Sequence, residues 1–151
     1  MRCASCAKAT SAATYGAWQA PDGTKGDYTT VWQRQKNGEY KWVAEQVDAQ
    51  SAAIEAPEMI ATSVASCDRA ARPGYGTLSA APSSALSPAP AFPAGTRGGW
   101  SDDRSFGWSV AVDASCARVV TLNLYRGGGK PMEPVFERRV AAPANSARCA
   151  A

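Results

Sequence analysis

The chain has 151 residues, 45% of them apolar, with 16 Lys and Arg against 13 Asp and Glu, a formal net charge of +3 and no His. Of the apolar residues 31 are Ala, while Leu, Ile, Val and Phe together number only 19; that fraction falls below the roughly 20% at which chains stop offsetting their ordering entropy, so one core running through the whole length is not expected. The missing His excludes Ser-His-Asp and Cys-His catalytic units, His-containing zinc sites and a His switch near neutral pH, and the scattered basic residues, densest at Arg138 and Arg139, form no patch for nucleic acid and read as ordinary solvated charge.

At the N-terminus Cys3 and Cys6 stand in C-x-x-C spacing, but a redox dithiol wants a strand-to-helix context and a zinc site wants a second close pair. Cys67, Cys116 and Cys149 are isolated, so buried thiols, or one or two disulfides in an oxidising compartment, fit the pattern better, and neither a metal nor a cofactor is expected. No apolar run reaches the roughly 18 residues of a membrane span, and no apolar stretch follows Lys8 to make a secretory signal. For the chain as written the expectation is therefore cytoplasmic.

Residues 12–18 alternate as a first strand and lead through a turn-rich 21–26 into the strongest local signal, strands at 28–35 and 39–45 around Lys36, Asn37 and Gly38. A two-residue turn would split the aromatics between both faces of this hairpin. A three-residue loop with Gly38 left-handed instead pairs Gln35 with Glu39, Arg34 with Tyr40 and Trp32 with Trp42; it gathers Tyr28, Trp32, Tyr40 and Trp42 on one face and leaves Thr29, Gln33, Gln35, Glu39, Lys41 and Glu45 mostly on the other. The result is a three-stranded meander whose aromatic face needs a cover. Residues 51–67 read either as a helix starting at Pro57 and Glu58 with Ile60, Val64 and Cys67 in phase, or as a strand alternating at Ile60, Thr62, Val64 and Ser66. Even as a helix this segment brings too few apolar side chains for that face.

Residues 70–99 hold five Pro, five Gly, eight Ala and four Ser with only Arg72 and Arg97 charged, and read as a flexible linker. A second β pattern follows: Trp108, Val110 and Val112; a turn from Asp113 to Cys116; Val120, Leu122 and Leu124; a turn at Gly127 to Gly129; and a Pro-interrupted, edge-like strand over 133–140. A meander of that size is marginal alone, and the first meander is one surface it can pack on.

The run Tyr15, Gly16, Ala17, Trp18, then Pro21, Asp22, Gly23, Thr24, then Gly26, Asp27, Tyr28, Thr29, Thr30, Val31, Trp32, Gln33, Arg34, Gln35, and Asn37 to Val43, resembles the closing strands of a nuclear transport factor 2-like domain of the SnoaL-like, ketosteroid isomerase-like kind found in bacteria. The resemblance covers roughly residues 5–48. It implies a partial cone-type curved sheet in 1–69; with the linker at 70–99, a small meander at 100–143 and a disordered tail at 144–151 read from composition and pattern, the expected fold class is α+β, mostly antiparallel. Helices preceding the strands close the cone in that family, so the expectation is that Met1 lies inside a longer gene product, exported or periplasmic if a leader precedes it. Within that frame Cys6 and Cys67 are the disulfide candidates, since both can reach one edge of the sheet.

Catalytic relatives in that superfamily use an Asp base with Tyr and protonated-acid donors. Tyr15, Asp27, Tyr28 and Asp48 have suitable chemistry, but no motif assigns them, and carboxylates on strands are mostly solvated. The expected function is thus a non-catalytic small-ligand-binding or scaffold module, with Trp18, Tyr28, Trp32 and Trp42 lining a pocket for a small apolar ligand and homodimerisation through the sheet face. The alternatives are an isomerase, cyclase or hydrolase acting on a small apolar substrate, and a truncated reading frame without autonomous function.

Overall fold

The structure, a computed structural model, describes residues 2–4, 10–50, 60–66 and 91–142. They form β1 (Arg2–Ala4), β2 (Ser11–Gln19), β3 (Lys25–Arg34), β4 (Tyr40–Gln50), β5 (Thr62–Val64), β6 (Arg97–Trp100), β7 (Phe106–Val112), β8 (Arg118–Leu124) and β9 (Glu133–Val140). A five-stranded sheet runs β4-β3-β2-β1-β5 and a four-stranded sheet runs β6-β7-β8-β9. All pairings are antiparallel except β1 with β5.

The α+β expectation is corrected: the described residues contain no helix and form mostly antiparallel strands in two sheets, a pure β fold. Around Ile60 the ambiguity between periods resolves toward strand because Thr62 and Val64 are β-branched and Thr62–Val64 pairs in parallel with Arg2–Ala4. Pro57, Glu58, Cys6, Cys67 and the tail at 144–151 lie outside the described residues.

The hairpin register is the one the side chains argued for. Arg34 lies opposite Tyr40 and Trp32 opposite Trp42, while the Gln35 amide donates to the Glu39 carbonyl at 2.7 Å and Gly38 takes φ +89°. A bulge between Val31 and Trp32 then moves the pairing on, so that Val31 faces Ala44 and Thr30 faces Glu45. Glu45 therefore joins the aromatic face, not the opposite one; an alternation count carried through Val43 misses the extra residue.

The two sheets stack face to face and share one core. Ala13 and Val31 of the first sheet meet Phe106, Val120, Leu122 and Leu124 of the second, with Ala65 beside them, all buried. Tyr15 extends the contact, its ring centroid 4.0 Å from that of Phe136. Aliphatic mass comes mainly from the second sheet, at roughly 1.5–3 kcal/mol for each large side chain fully removed from water. A strand absent from the sequence reading, β6, begins inside the stretch read as linker. Its Arg-Gly-Gly-Trp sequence carries little β propensity, yet a Cβ at Gly99 would come within 2.7 Å of the Trp108 indole and one at Gly98 within 2.6 Å of the Phe92 ring. Glycine at both positions gives the rings room, and Phe92 stacks on Trp100 at 5.5 Å.

Candidate functional site

Register decides which residues share a face. On the first sheet Ala13, Val31 and Ala44 line up toward the second sheet, and Tyr15, Thr29 and Gln46 continue the row. Trp18, Tyr28, Trp32 and Trp42 occupy the alternate phase, so they stand on the side turned away from the second sheet. The second meander does pack on the first, on the face turned away from these aromatics, and the reason is physical. Alternation defines two faces without ranking them, and the face with small side chains is the one that lets the sheets approach.

On that outer face the rings lie down over glycine. A Cβ at Gly26 would sit 2.6 Å from the Trp18 ring, and one at Gly16 would sit 3.3 Å from Tyr28. The Trp18 Nε1 donates to the Asp27 carbonyl at 3.2 Å, and the Trp32 Nε1 donates to Thr14 Oγ1 at 3.0 Å, so both indoles are tethered to the sheet. Thr30 Oγ1 donates to Glu45 Oε1 at 3.0 Å, placing a carboxylate beside the rings. Trp42, opposite Trp32, is 63% exposed, with Val47 at 51% and Tyr40 at 42%. The four aromatic residues singled out in the sequence share this open face across three adjacent strands, Trp32 and Trp42 opposite each other toward one end and Tyr28 and Trp18 toward the other, with Thr14, Thr30 and Glu45 in a row between them.

The carboxylates are placed quite differently. Asp27 and Asp48 lie directly opposite each other on β3 and β4, an arrangement that repels unless cations intervene. Two do: Arg138 Nη1 contacts Asp27 Oδ2, and Arg118 Nη2 contacts Asp48 Oδ1 at 2.8 Å. Gln46 Nε2 adds a hydrogen bond to Asp48 Oδ2 at 2.9 Å. Asp27 is 4% exposed, and burial pushes its carboxyl above the usual range; the charge and hydrogen bond of Arg138 pull it back, and Asp48 pushes it further up. These groups form an ionic layer between the sheets, with neither carboxylate presented to the aromatic face. Tyr15, the remaining residue of suitable chemistry on this side, packs on Phe136.

Sequence reasoning missed the arginines. Arg138 and Arg139 were read as solvated charge, but they alternate across β9. Arg138 points inward to Asp27, whereas Arg139 points outward, its Nε donating to Asp113 Oδ2 at 2.8 Å and its Nη2 to Ser115 Oγ at 2.7 Å. The available signal was phase: Arg138 stands two residues after the core residue Phe136, so it had to face an acid across the sandwich.

Asp113 organises the turn between β7 and β8. Its Oδ1 accepts from the Ser115 amide at 2.8 Å, Ser115 Oγ at 2.7 Å and the Ala117 amide at 3.1 Å. Hydrogen bonding from the Ser115 side chain, with help from the Ser115 amide, Arg139 and the Ala117 amide and against some desolvation, holds its carboxyl down at about 2. Cys116 closes this turn with φ +64° and is disulfide-bonded. Among the described residues no group of three or more His, Cys, Asp or Glu could hold a metal ion, and no helix is long and apolar enough to cross a membrane. No family model, curated protein or solved structure matches the chain, and two antiparallel sheets carry nothing specific to a nuclear transport factor 2-like domain.

Proposed function

We propose that this protein is a non-catalytic binding module that engages a ring-bearing ligand on the outer face of its first sheet. The observation that carries this reading is the exposure of Trp42 and Tyr40 at one end of this face and of Val47, opposite Tyr28, toward the other, with the Trp18 and Tyr28 rings lying over glycine and Trp32 tied to Thr14. Several large apolar side chains exposed on one face of a folded domain favour an interaction surface. Aromatic rings held against the sheet offer stacking area at little conformational cost, and Thr14 and Glu45 supply polar atoms in the row between them. Binding is favoured over catalysis because Asp27 and Asp48, the two acids with the chemistry of a base, are engaged by arginines between the sheets.

The test is a titration followed by tryptophan emission, using a soluble glucan oligomer and a sterol-like amphiphile as ring-bearing probes. Saturable quenching by one of them, weakened at least ~10-fold in Trp42→Ala (about 1.4 kcal/mol), with the probe recovered chemically unchanged, supports the reading. Conversion of the probe would overturn the non-catalytic part, and no saturable response to either would overturn the binding part.

A further inference from the structure

Cys116 is disulfide-bonded, and the registers of the two sheets limit which cysteine can be its partner. A disulfide needs its two Cα atoms within about 7 Å of each other. Cys116 lies in the β7–β8 turn, where its amide donates to the Asp113 carbonyl at 2.9 Å, so it sits just beyond Arg118 at one end of the second sheet. Cys67 follows Ser66, whose amide donates to the Tyr125 carbonyl at 2.7 Å, at the other end of β8. The strand between Arg118 and Tyr125 spans about 23 Å, which one further residue cannot recover. Cys3 belongs to β1 of the first sheet, opposite Ala13 and Ser63. Facing layers stand about 10 Å apart, and the row of Cys3 and Ala13 continues to Val31, well along β3 from Asp27 and Asp48, whose arginines mark the Arg118 end of the second sheet. Cys6 follows Ala4 by two residues, at most ~7.5 Å of chain. Ala4 stands opposite Ala12, one row further still from that end.

Cys149 is the cysteine that remains, and the chain leads toward the turn. β9 ends at Val140, opposite Arg118, and Ala141 and Ala142 line one hollow with Ser115 and Ala117, the two residues that flank Cys116. Cys149 follows Ala142 by seven residues, a reach of up to about 25 Å. We infer that Cys116 and Cys149 form a disulfide, a covalent clasp that ties the C-terminal segment to the β7–β8 turn. As the S–S bond forms, each thiol gives up a proton and one electron; a small-molecule or protein disulfide takes up both protons and both electrons and leaves as two thiols. Such bonds persist in oxidising compartments and are rare in a reducing cytosol, so this pairing places the mature chain in the former, against the cytoplasmic expectation.

Peptide mapping tests it on the full chain, equilibrated with a glutathione mixture rich in the disulfide form, alkylated, and cleaved with trypsin without reduction. Trypsin separates the candidates: Cys3 and Cys6 share 3–8, Cys67 lies in 42–69, Cys116 in 105–118 and Cys149 in 149–151. The expected product joins 105–118 to 149–151. Cys149→Ala should leave Cys116 open to alkylation and lower the melting temperature by about 5–15 °C. Cys3→Ala should leave the 105–118 to 149–151 link in place. The inference is overturned if 105–118 is found joined to 3–8 or to 42–69, or if Cys116 is alkylated in the wild type under these conditions. It is equally overturned by a dimer in which two copies of 105–118 are linked to each other.

Discussion

The two sheets use their side chains in opposite ways. The second sheet buries Phe106, Val120, Leu122 and Leu124 and so supplies most of the apolar mass. The first sheet turns Ala13, Thr29, Val31, Gln46, Asp27 and Asp48 inward and keeps Trp42, Tyr40 and Val47 outside. A stable fold needs one sheet to bring bulk and the other to accept it, and facing positions that alternate large and small let the layers interdigitate. The sheet relieved of bulk can place its aromatics where a ligand can reach them.

That contrast makes its sharpest claim at Phe106. Phe106→Ala should cost about 3–5 kcal/mol, because the ring is fully buried in the core that the two sheets share and its loss leaves a cavity there. Urea unfolding followed by far-UV circular dichroism measures it, and a loss below about 1 kcal/mol would mean that the shared core is not the main source of stability.

Arg138→Met is expected to come next, at about 3 kcal/mol near neutral pH, since it strands Asp27 between the sheets. Its pH dependence sharpens the point. Asp27 already binds its proton more tightly folded than unfolded, so its ionisation removes stability as pH rises from the ordinary carboxylate value through the raised one. Without Arg138 that value moves further up. The gap between Arg138→Met and wild type should therefore be widest at neutral pH and narrow on acidification; a gap that widened toward acid would contradict the ionic layer.

Gly26→Ala probes how tightly the outer face is built. The added Cβ would come within 2.6 Å of the Trp18 ring and still closer to the Asp48 carbonyl, so a loss of about 1–3 kcal/mol is expected. Displacement of Trp18 should accompany it, read as a change in near-UV circular dichroism. At the β7–β8 turn the effect is smaller and has the opposite pH sense to Asp27. With its carboxyl held at about 2, Asp113 contributes stability above the ordinary carboxylate value that is lost as pH falls through about 2. Asp113→Ala should lower the melting temperature at pH 6 and converge on wild type toward pH 2.

Legibility from sequence divides along the same line. The hairpin register was readable because Asn37 and Gly38 fix the loop and only one register collects the aromatics. Strands β7, β8 and β9 were readable from their alternation. Which face of the first sheet is buried was not, because period 2 labels two faces without ordering them, and the bulge that moves Glu45 across adds a residue that no propensity marks. The three-residue strand β1 is too brief for a periodic signal, and around the equally short β5 the alternation at Thr62 and Val64 competed with a helical phase at Ile60 and Val64. For the candidate site, the four aromatics were found in sequence, whereas the arginines that occupy Asp27 and Asp48 lie about 70 to 110 residues away and meet them only once the sheets stack.

The smallest expected effect on folding is also the most discriminating. Trp42→Ala removes the largest exposed side chain of β4, and an exposed substitution away from caps and core should move stability by no more than about 0.5 kcal/mol. Trp108→Ala, at a core-facing position of the opposite sheet, should cost about 3 kcal/mol. Comparing the two in one urea series isolates the orientation of the first sheet, because both remove the same ring from a strand and differ only in what the ring faces. Equal losses would mean that something covers the aromatic face in solution. A Trp42→Ala chain as stable as wild type that no longer responds to a ring-bearing probe would assign that residue to recognition and the inner face alone to the fold.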